Sequence, residues 1–444
     1  MLSHVLRASA VACTVTLTLA VDAAAALCPT PAPPCPFGGG CAPTSALPAD
    51  GFVDSIGVNT HMSFAPGNYT GGLLGGVFPD WSRPNAALRQ LGIRHVRDHL
   101  PPDIAANGPI FGELKTLAAT AIKTDVILPP PASVTPTVLA QLATLKSAGV
   151  LESVEPVNEI DNAGATYAAV GAQQPTIHAT AAALGVPALG PSLADPRRYA
   201  NFAAGSLTAG TDQANLHIYG GAYTTGPGFP YTPGDSLQPA AGCGAFAWGS
   251  SKPVVVGETG YATDTTSGWG VSPAVQATYV ARLLLSNYAD RVKRTYLYEL
   301  GDEAPYQVGI QGDFGIMTSS FAPKPAGAQV TTLTTLLADR GQPATTAARI
   351  TTVPAGTAAR SVELFKRDGS RWLALWQDAP LWDPFAQKAL PTPPAITLTF
   401  TTGSATAAGV YRLSAGTVPV STQPSSTSHT VTVRADDVTL VKLT

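Results

Sequence analysis

The chain has 444 residues, more than one ordinary domain and enough for a large barrel with a smaller companion. Charged residues are only 12% and the formal net charge is −3, which excludes a basic surface for nucleic acid and an acidic tail. Abundant Gly (43) and Pro (40) predict many turns and long loops, and we expect a neutral partner.

Residues 1–26 have the features of a secretory signal peptide. One positive charge precedes the apolar run Ala8–Val21, which is too short to cross a bilayer comfortably, and small residues up to Ala26 fit a cleavage site. We predict a secreted protein, extracellular or periplasmic, with no membrane attachment after cleavage. An N-terminal membrane anchor is the alternative.

Residues 27–50 form a Pro- and Cys-rich segment that we predict to be a linker or a stapled loop. Once Cys13 leaves with the signal, four cysteines remain, and an even number in an oxidising compartment favours disulfides. Three pairings are possible, and full pairing ties one of the first three cysteines to the fourth. The four are Cys28, Cys35, Cys41 and Cys243.

Residues 51–338 alternate short apolar runs with helical patterns, which predicts a parallel sheet wrapped by helices. Thr135-Pro136 and Ser272-Pro273 are helix starts, each an N-cap followed by Pro. Eight strand–helix units match a (β/α)8 TIM barrel, although Pro156 would cost a central strand one hydrogen bond. The predicted strands are Ser55–Asn59, Ile93–Arg97, Thr124–Leu128, Val154–Asn158, Pro187–Gly190, Ala214–Ile218, Pro253–Gly257 and Thr295–Glu299.

Residues 339–444 change to short alternating runs around an Asp368-Gly369 hairpin signal, which predicts a C-terminal antiparallel β-sandwich. No long Gly/Ser/Pro tether lies between residues 333 and 342, so we expect the sandwich to pack firmly on the barrel. The predicted strands are Val362–Phe365, Trp372–Trp376, Ile396–Thr401, Val410–Leu413, Thr430–Val433 and Val438–Lys442.

Two glutamates follow buried strands of the predicted barrel, whose strand ends carry the chemistry in this fold. Glu159 follows the fourth strand directly after Asn158, and Glu258 lies at the end of the seventh. Cleavage of a glycosidic bond with retention needs one carboxylic acid with a raised pKa and one carboxylate that stays ionised. A neighbouring Arg and a Tyr hydroxyl suit the second role. Other strand ends supply Asn59, His61, Arg97, Asp98, His217, Tyr219, Tyr298 and Glu299.

The Asn158-Glu159 pair and the stretch Glu258-Thr259-Gly260-Tyr261 resemble the clan A superfamily of retaining glycoside hydrolases. The likeness extends to His217-x-Tyr219 and to Arg97, and covers roughly residues 54–337. It implies that Glu159 is the acid/base and Glu258 the nucleophile. The implied substrate-binding residues are Asn158 at the sugar 2-hydroxyl, and Tyr219 and Arg97 beside Glu258. From their places at strand ends, we also predict His217, Asn59 and Tyr298 to bind substrate.

Several of these residues also have ordinary structural explanations. Arg97 beside Asp98 fits a plain ion pair, and His217 fits a satisfied core histidine. Trp81, Trp248 and Trp269 in strand-end loops fit stacking on a pyranose ring and core packing equally well.

The sequence predicts a secreted, retaining O-glycosyl hydrolase that acts on a β-linked glycan or glycoside. We expect a monomer that needs no cofactor or metal and binds carbohydrate, not nucleic acid. The alternative is a catalytically inactive carbohydrate-binding protein on the same fold. Two intact glutamates with Asn158 beside one of them favour the enzyme.

Overall fold

The computed structural model describes residues 45–62, 81–100, 114–163, 165–223, 252–303, 307 and 309–444. The predicted signal peptide, residues 27–44, every cysteine and Trp248 lie outside these ranges, so the predictions made for them stay predictions. Among the described residues, no helix has the length and hydrophobicity to cross a membrane.

The strands of the first 300 residues belong to two different sheets. One short strand precedes the barrel, and seven parallel strands form the barrel wall. The strands are β1 (Ser45–Pro48), β2 (Ile56–Asn59), β3 (His95–His99), β4 (Lys123–Ile127), β5 (Leu151–Glu155), β6 (Ala214–His217), β7 (Val254–Thr259) and β8 (Arg294–Leu297).

The parallel sheet has the order β5-β4-β3-β2-β8-β7-β6, and residues 187–190 lie between its two edges. The sequence predicts a regular strand here, but the segment makes only isolated bridges, at Ala188 and Leu189. Leu189 N–H donates to the Val154 carbonyl on one side, and Gly190 N–H donates to Gln213 on the other. The barrel is therefore closed, as predicted.

Helices on the outside of the barrel begin where the sequence predicted caps. Thr135 accepts a hydrogen bond from Val138 N–H at 3.3 Å, and Ser272 accepts one from Val275 N–H at 3.4 Å. Among the described residues, the α-helices longer than five residues are α1 (Ala49–Asp54), α2 (Ser82–Gln90), α3 (Pro136–Ser147), α4 (Tyr167–Ala183), α5 (Pro273–Ala289) and α6 (Pro325–Leu337).

The C-terminal region is one continuous, mostly antiparallel sheet in the order β10-β15-β17-β12-β11-β1-β9, with β16 paired to β15. Two predicted strands are halves of the single long β15, which lets the sheet fold over on itself as a sandwich. Its strands are β9 (Ala347–Ala348), β10 (Thr351–Thr352), β11 (Ala359–Phe365), β12 (Arg371–Gln377), β15 (Ile396–Arg412), β16 (Ser421–Val433) and β17 (Thr439–Leu443), with a separate hairpin of β13 (Trp382–Asp383) and β14 (Lys388–Ala389).

The two faces of β12 separate two hydrophobic cores. Leu373 and Leu375 pack inside the sandwich with residues such as Phe400, whereas Trp372 and Trp376 belong to the core shared with the barrel. The period of two along a strand produces this division. The shared core is the physical reason to expect that barrel and sandwich behave as one unit.

The first described strand, β1, pairs with β11 and β9 of the C-terminal sheet. The chain therefore enters the barrel from the sandwich, a contact that the predicted linker did not include. Tyr288 of α5 donates from its hydroxyl to the Pro48 carbonyl at 2.8 Å, which ties β1 to the barrel as well.

Arg282 of α5 is buried and reaches across the contact between barrel and sandwich. Its guanidinium donates to the carbonyls of Ala379, at 2.9 Å, and Ala435. We expect Arg282→Ala to leave one buried and one partly buried carbonyl without this donor and to destabilise the protein by about 2–3 kcal/mol. Thermal unfolding with limited proteolysis near residue 340 measures the effect. The control is Arg434→Ala, since Arg434 pairs only at the surface with Asp436. Equal melting temperatures for both variants would contradict this role.

A charged cluster closes the opposite, N-terminal end of the barrel. His95 Nδ1 lies 2.6 Å from Glu152, and Arg294 binds both Glu152 and Asp54. Burial raises the pKa of Glu152, but the hydrogen bond and charge of His95 outweigh this effect and lower it to about 2. The cluster is structural, and it lies at the far end of β5 from the predicted catalytic residues.

Candidate active site

The turn after β5 places the Asn158-Glu159 pair at the C-terminal end of the barrel. The strand ends at Glu155, so Pro156 lies just beyond the ladder and costs it no hydrogen bond. Glu159 has φ +42°, and its N–H donates to Ser192 Oγ at 3.1 Å. A positive φ is rare outside glycine, and the Ser192 contact helps to hold it here.

Glu258 lies inside β7, opposite His217 of β6. Arg97 Nη1 donates to its Oε1 at 2.7 Å, and the Tyr219 hydroxyl donates to its Oε2 at 2.9 Å. The side chain is largely buried, with 8% of the residue exposed. Both carboxylate oxygens of Glu258 therefore accept hydrogen bonds that fix the orientation of the side chain.

Glu159 is half-buried and contacts His217. His217 Nδ1 lies 2.9 Å from Glu159 Oε1, and Asn162 donates to Oε2 at 3.0 Å. Burial raises the pKa of Glu159, but the hydrogen bond and positive charge of His217 outweigh it and lower that pKa. The raised pKa that the sequence analysis required of a proton donor is therefore absent in the free protein, because an imidazole sits beside the carboxylate.

The two glutamates face each other across a short gap. One carboxylate oxygen of Glu159 and one of Glu258 lie within 4.8 Å, with His217 Nδ1 within the same distance of both. His217 Nδ1 is 3.6 Å from Glu258 Oε2.

Arg97 connects the elements of the site. Its five N–H groups all have acceptors, since Nη1 binds Asn59 and Glu258, Nη2 binds Asn158 and Glu155, and Nε binds Glu155. Asp98, the partner considered from the sequence, instead accepts from the Thr60 hydroxyl and from a backbone N–H. Arg97 is thus a buried hub of the site.

The two predicted asparagines lie at different depths. Asn158 is half-buried, and its Oδ1 accepts from Arg97 Nη2 at 2.7 Å, which leaves its NH2 group as the free end of the amide. Asn59 is 3% exposed, and both ends of its amide bind protein groups, Arg97 and the Gly257 carbonyl. In this structure Asn59 therefore helps to hold Arg97 in place.

Three aromatic rings line the β6–β8 side of the site. The rings of Tyr219, Tyr298 and Phe314 make mutual edge contacts with centroids 5.5–6.5 Å apart. Tyr219 and Tyr298 are half-buried. Of the predicted loop tryptophans, Trp81 is buried in the core, and Trp269 is 40% exposed.

Several residues of the site were not found from the sequence. Glu155 and Asn215 lie under Arg97, and His99 ends β3 near Glu258. Burial lowers the pKa of His99 to about 3, so its ring is neutral. The sequence does contain an indication of Glu155, because this residue is a carboxylate on a buried strand, four residues before Glu159.

In the part of the chain that the structure describes, two groups of side chains have the donor atoms for a cation. One is Glu159, His217 and Glu258; the other is His61, Glu299 and Glu303, in which His61 Nδ1 bonds to Glu303 and lies 3.2 Å from Glu299. The hydrogen bonds within each group account for these contacts without an ion.

Gly257, directly before Glu258, has no room for a side chain. A Cβ there would lie 2.3 Å from Asn215 Oδ1 and 3.2 Å from His217 Nε2. We expect Gly257→Ala to displace both side chains, to destabilise the fold by about 1–3 kcal/mol, and to lower activity at temperatures where the variant stays folded. Gly403→Ala is a control for substitution of a glycine, because no atom lies within 4 Å of that Cβ and Gly403 does not have a positive φ. An active Gly257→Ala would show that this packing is unimportant.

Comparison with known proteins supports the fold. No protein-family model matches the chain, and no curated protein matches its sequence. Among solved structures, a family 39 glycoside hydrolase from Bacteroides cellulosilyticus WH2 superimposes with a TM-score of 0.60 at 12% identity, covering 90% of this chain and 81% of the other.

Two further solved structures have a fold similar to that of this chain. A glucosidase from Croceicoccus marinus gives a TM-score of 0.53 at 11% identity, covering 90% of this chain and 96% of that one. CelM2, a bifunctional glucanase-xylanase from a metagenome library, gives 0.52 at 11% identity, covering 81% and 94%. The chain therefore has the (β/α)8 barrel and β-sandwich fold of these glycoside hydrolases, in agreement with the resemblance to clan A seen in its sequence.

Proposed function

We propose that this protein is a glycoside hydrolase that cleaves a β-linked O-glycosidic bond with retention. The observation that carries the proposal is the pair of strand-end carboxylates, Glu159 and Glu258, with oxygens within 4.8 Å. Retaining enzymes hold their carboxyl groups about 5–5.5 Å apart, whereas inverting enzymes need about 6.5–9.5 Å to admit water. The short gap favours retention.

In the first step Glu258 is the nucleophile. Its carboxylate oxygen bonds to the anomeric carbon while the bond from that carbon to the leaving oxygen breaks. Arg97 and Tyr219 hold Glu258 in place through its two oxygens. Glu159 gives a proton to the leaving oxygen, so the aglycone departs as a neutral alcohol.

The proton for this step lies on the hydrogen bond between Glu159 and His217. In the free protein the carboxylate is ionised beside the imidazole. Transfer of a proton across the 2.9 Å contact gives the acid form of Glu159. In the second step the carboxylate of Glu159 takes a proton from water, which attacks the anomeric carbon and releases Glu258.

The surrounding side chains suit a sugar. The NH2 group of Asn158 is oriented by Arg97 and can bind a hydroxyl beside the anomeric carbon. The half-buried faces of Tyr219 and Tyr298 supply apolar surface for a pyranose ring. A neutral carbohydrate as the partner also agrees with the low charge of the chain.

Secretion and disulfide pairing belong to the same proposal and rest on the sequence. Residues 1–26 suit export, and an even number of cysteines suits an oxidising compartment. Alkylation of the folded, mature protein followed by mass analysis measures free thiols. Two unpaired cysteines would contradict this part of the proposal.

Hydrolysis of a panel of aryl β-glycosides, including the β-glucoside and β-xyloside, tests the function. We expect release of the aryl group from at least one member, and no release by Glu258→Gln. The competing carbohydrate-binding protein would bind oligosaccharides in calorimetry, hydrolyse none of the panel, and be unchanged by that substitution.

A further inference from the structure

A third carboxyl group lies directly beneath the two glutamates. Glu155 ends β5, and its residue is fully buried. Its Oε1 accepts from Arg97 Nε at 2.7 Å and lies 2.5 Å from Nη2, and its Oε2 binds the side-chain amide of Asn215. No part of Glu155 reaches the surface, so it cannot touch a sugar, and any effect on the reaction passes through its neighbours.

Arg97 transmits that effect to the reacting groups. Its guanidinium is planar and rigid, so fixing one edge fixes the direction of the others. Glu155 holds the edge formed by Nε and Nη2, while Nη1 binds Glu258 at 2.7 Å and Nη2 also binds Asn158 at 2.7 Å. One carboxyl group thereby sets the position of the nucleophile and of the amide beside the acid/base.

We propose that Glu155 is a positioning residue of the glycosidase reaction, which holds Arg97 so that Arg97 presents Glu258 and Asn158 to the sugar. The inference rests on the proposed function and adds a residue that the resemblance does not assign.

The charges around Arg97 also affect the protonation of Glu155. One guanidinium faces both Glu155 and Glu258, and it cannot neutralise two carboxylates. Burial, together with the nearby charges of Asp125 on β4 and of Glu258, raises the pKa of Glu155 to about 8, against the opposing charge of Arg97. At neutral pH Glu155 is therefore mostly a neutral acid, and the positive charge of Arg97 is left to Glu258.

Asn215 can accept the proton of that neutral acid. Its Oδ1 is buried and has no hydrogen-bond partner among the described residues. Turning the amide over places Oδ1 against Glu155 Oε2, where it accepts the carboxyl hydrogen. Above the pKa, the ionised Glu155 competes with Glu258 for Arg97, and we expect activity to fall.

Three variants of the full chain test the proposal. Glu155→Ala removes the contact with Arg97, Glu155→Gln keeps an acceptor for it but cannot ionise, and Glu152→Gln removes a half-buried carboxylate from the other end of β5. The substrate is the 2,4-dinitrophenyl β-glycoside of a sugar that the wild type accepts. Its leaving group needs no protonation, so the titration of Glu159 does not hide that of Glu155.

We expect Glu155→Ala to lose about 10²-fold in kcat with a smaller change in KM, as for a misplaced reacting group. Glu155→Gln should keep at least about a tenth of the activity, and Glu152→Gln should match the wild type at temperatures where it stays folded. The wild-type profile of kcat/KM should fall with an apparent pKa near that of Glu155, about 8, and Glu155→Gln should lack this fall.

Equal activities of Glu155→Ala and Glu152→Gln, or equal pH profiles of wild type and Glu155→Gln, would overturn the proposal. If Glu155→Ala does not fold, the comparison of the pH profiles of the wild type and Glu155→Gln tests the proposal instead. A wild type that hydrolyses no glycoside refutes the proposed function instead. Carbon-13 NMR titration of the glutamate carboxyls then tests Glu155 alone: a resonance that titrates near pH 8 and is missing in Glu155→Gln supports its buried ionisation, and its absence from the wild type contradicts it.

Discussion

Replacing Glu258 with alanine or glutamine is expected to abolish hydrolysis of every glycoside that the protein accepts. Both substitutions remove the oxygen that bonds to the anomeric carbon, so neither natural nor activated substrates can form the covalent intermediate. The loss should be on the order of 10⁶-fold, as when the nucleophile of another covalent mechanism is removed. Initial rates on an aryl β-glycoside and on an oligosaccharide measure it.

Glu258→Gln is the matched variant for this test. Glutamine keeps the shape of the side chain and an acceptor for Arg97, which is 1% exposed and depends on its partners. Circular dichroism should therefore show a folded protein with a melting temperature close to that of the wild type. Turnover by a folded Glu258→Gln at more than about a hundredth of the wild-type rate would show that another residue is the nucleophile.

Glu159→Ala is expected to fail differently on different substrates. Proton transfer by a positioned carboxyl is worth about 10²–10⁴-fold, so natural glycosides with poor leaving groups should lose that much. The leaving group of a 2,4-dinitrophenyl glycoside needs no protonation, so formation of the glycosyl-enzyme from this substrate should continue in Glu159→Ala. Because Glu159 also activates the water of the second step, the glycosyl-enzyme should accumulate and give a burst of dinitrophenolate.

Small anions provide the control for Glu159→Ala. Azide can enter the space that the carboxylate leaves, attack the intermediate and restore turnover, with a glycosyl azide of unchanged anomeric configuration as the product. Asn162→Ala is a matched variant, since Asn162 only donates a hydrogen bond to Glu159 at 3.0 Å. If Glu159→Ala loses the same factor on both substrates and azide has no effect, Glu159 is not the acid/base.

Strands and helix caps could be predicted because their signals are local. Val254, Val255 and Val256 are buried and mark β7 within two residues, and Thr135-Pro136 marks the start of α3. Isolated bridges at residues 187–190 and the strand β1 could not be predicted. The pairing of β1 depends on Leu364, which lies more than 300 residues away in the chain, and the bridges of residues 187–190 depend on Val154 and Gln213 of neighbouring elements.

The candidate site likewise has features that could be predicted from the sequence and features that depend on contacts between distant residues. The two glutamates were found because strand ends of a barrel converge, whereas the role of Glu155 depends on Arg97, 58 residues earlier. The pKa of Glu159 had the opposite direction from that expected, because it is set by His217, a contact between residues 58 apart. The burial and the charged neighbours of a site residue depend on the folded structure, so a short sequence motif does not predict them.

The anomeric configuration of the first product tests the central claim most directly. Proton NMR of an aryl β-glycoside during hydrolysis by the wild type distinguishes the two anomers before mutarotation mixes them. Double displacement at Glu258, with Glu159 within 4.8 Å, predicts that the β-anomer appears first. If the α-anomer appears first, the reaction inverts, and the assignment of Glu258 as a covalent nucleophile is wrong.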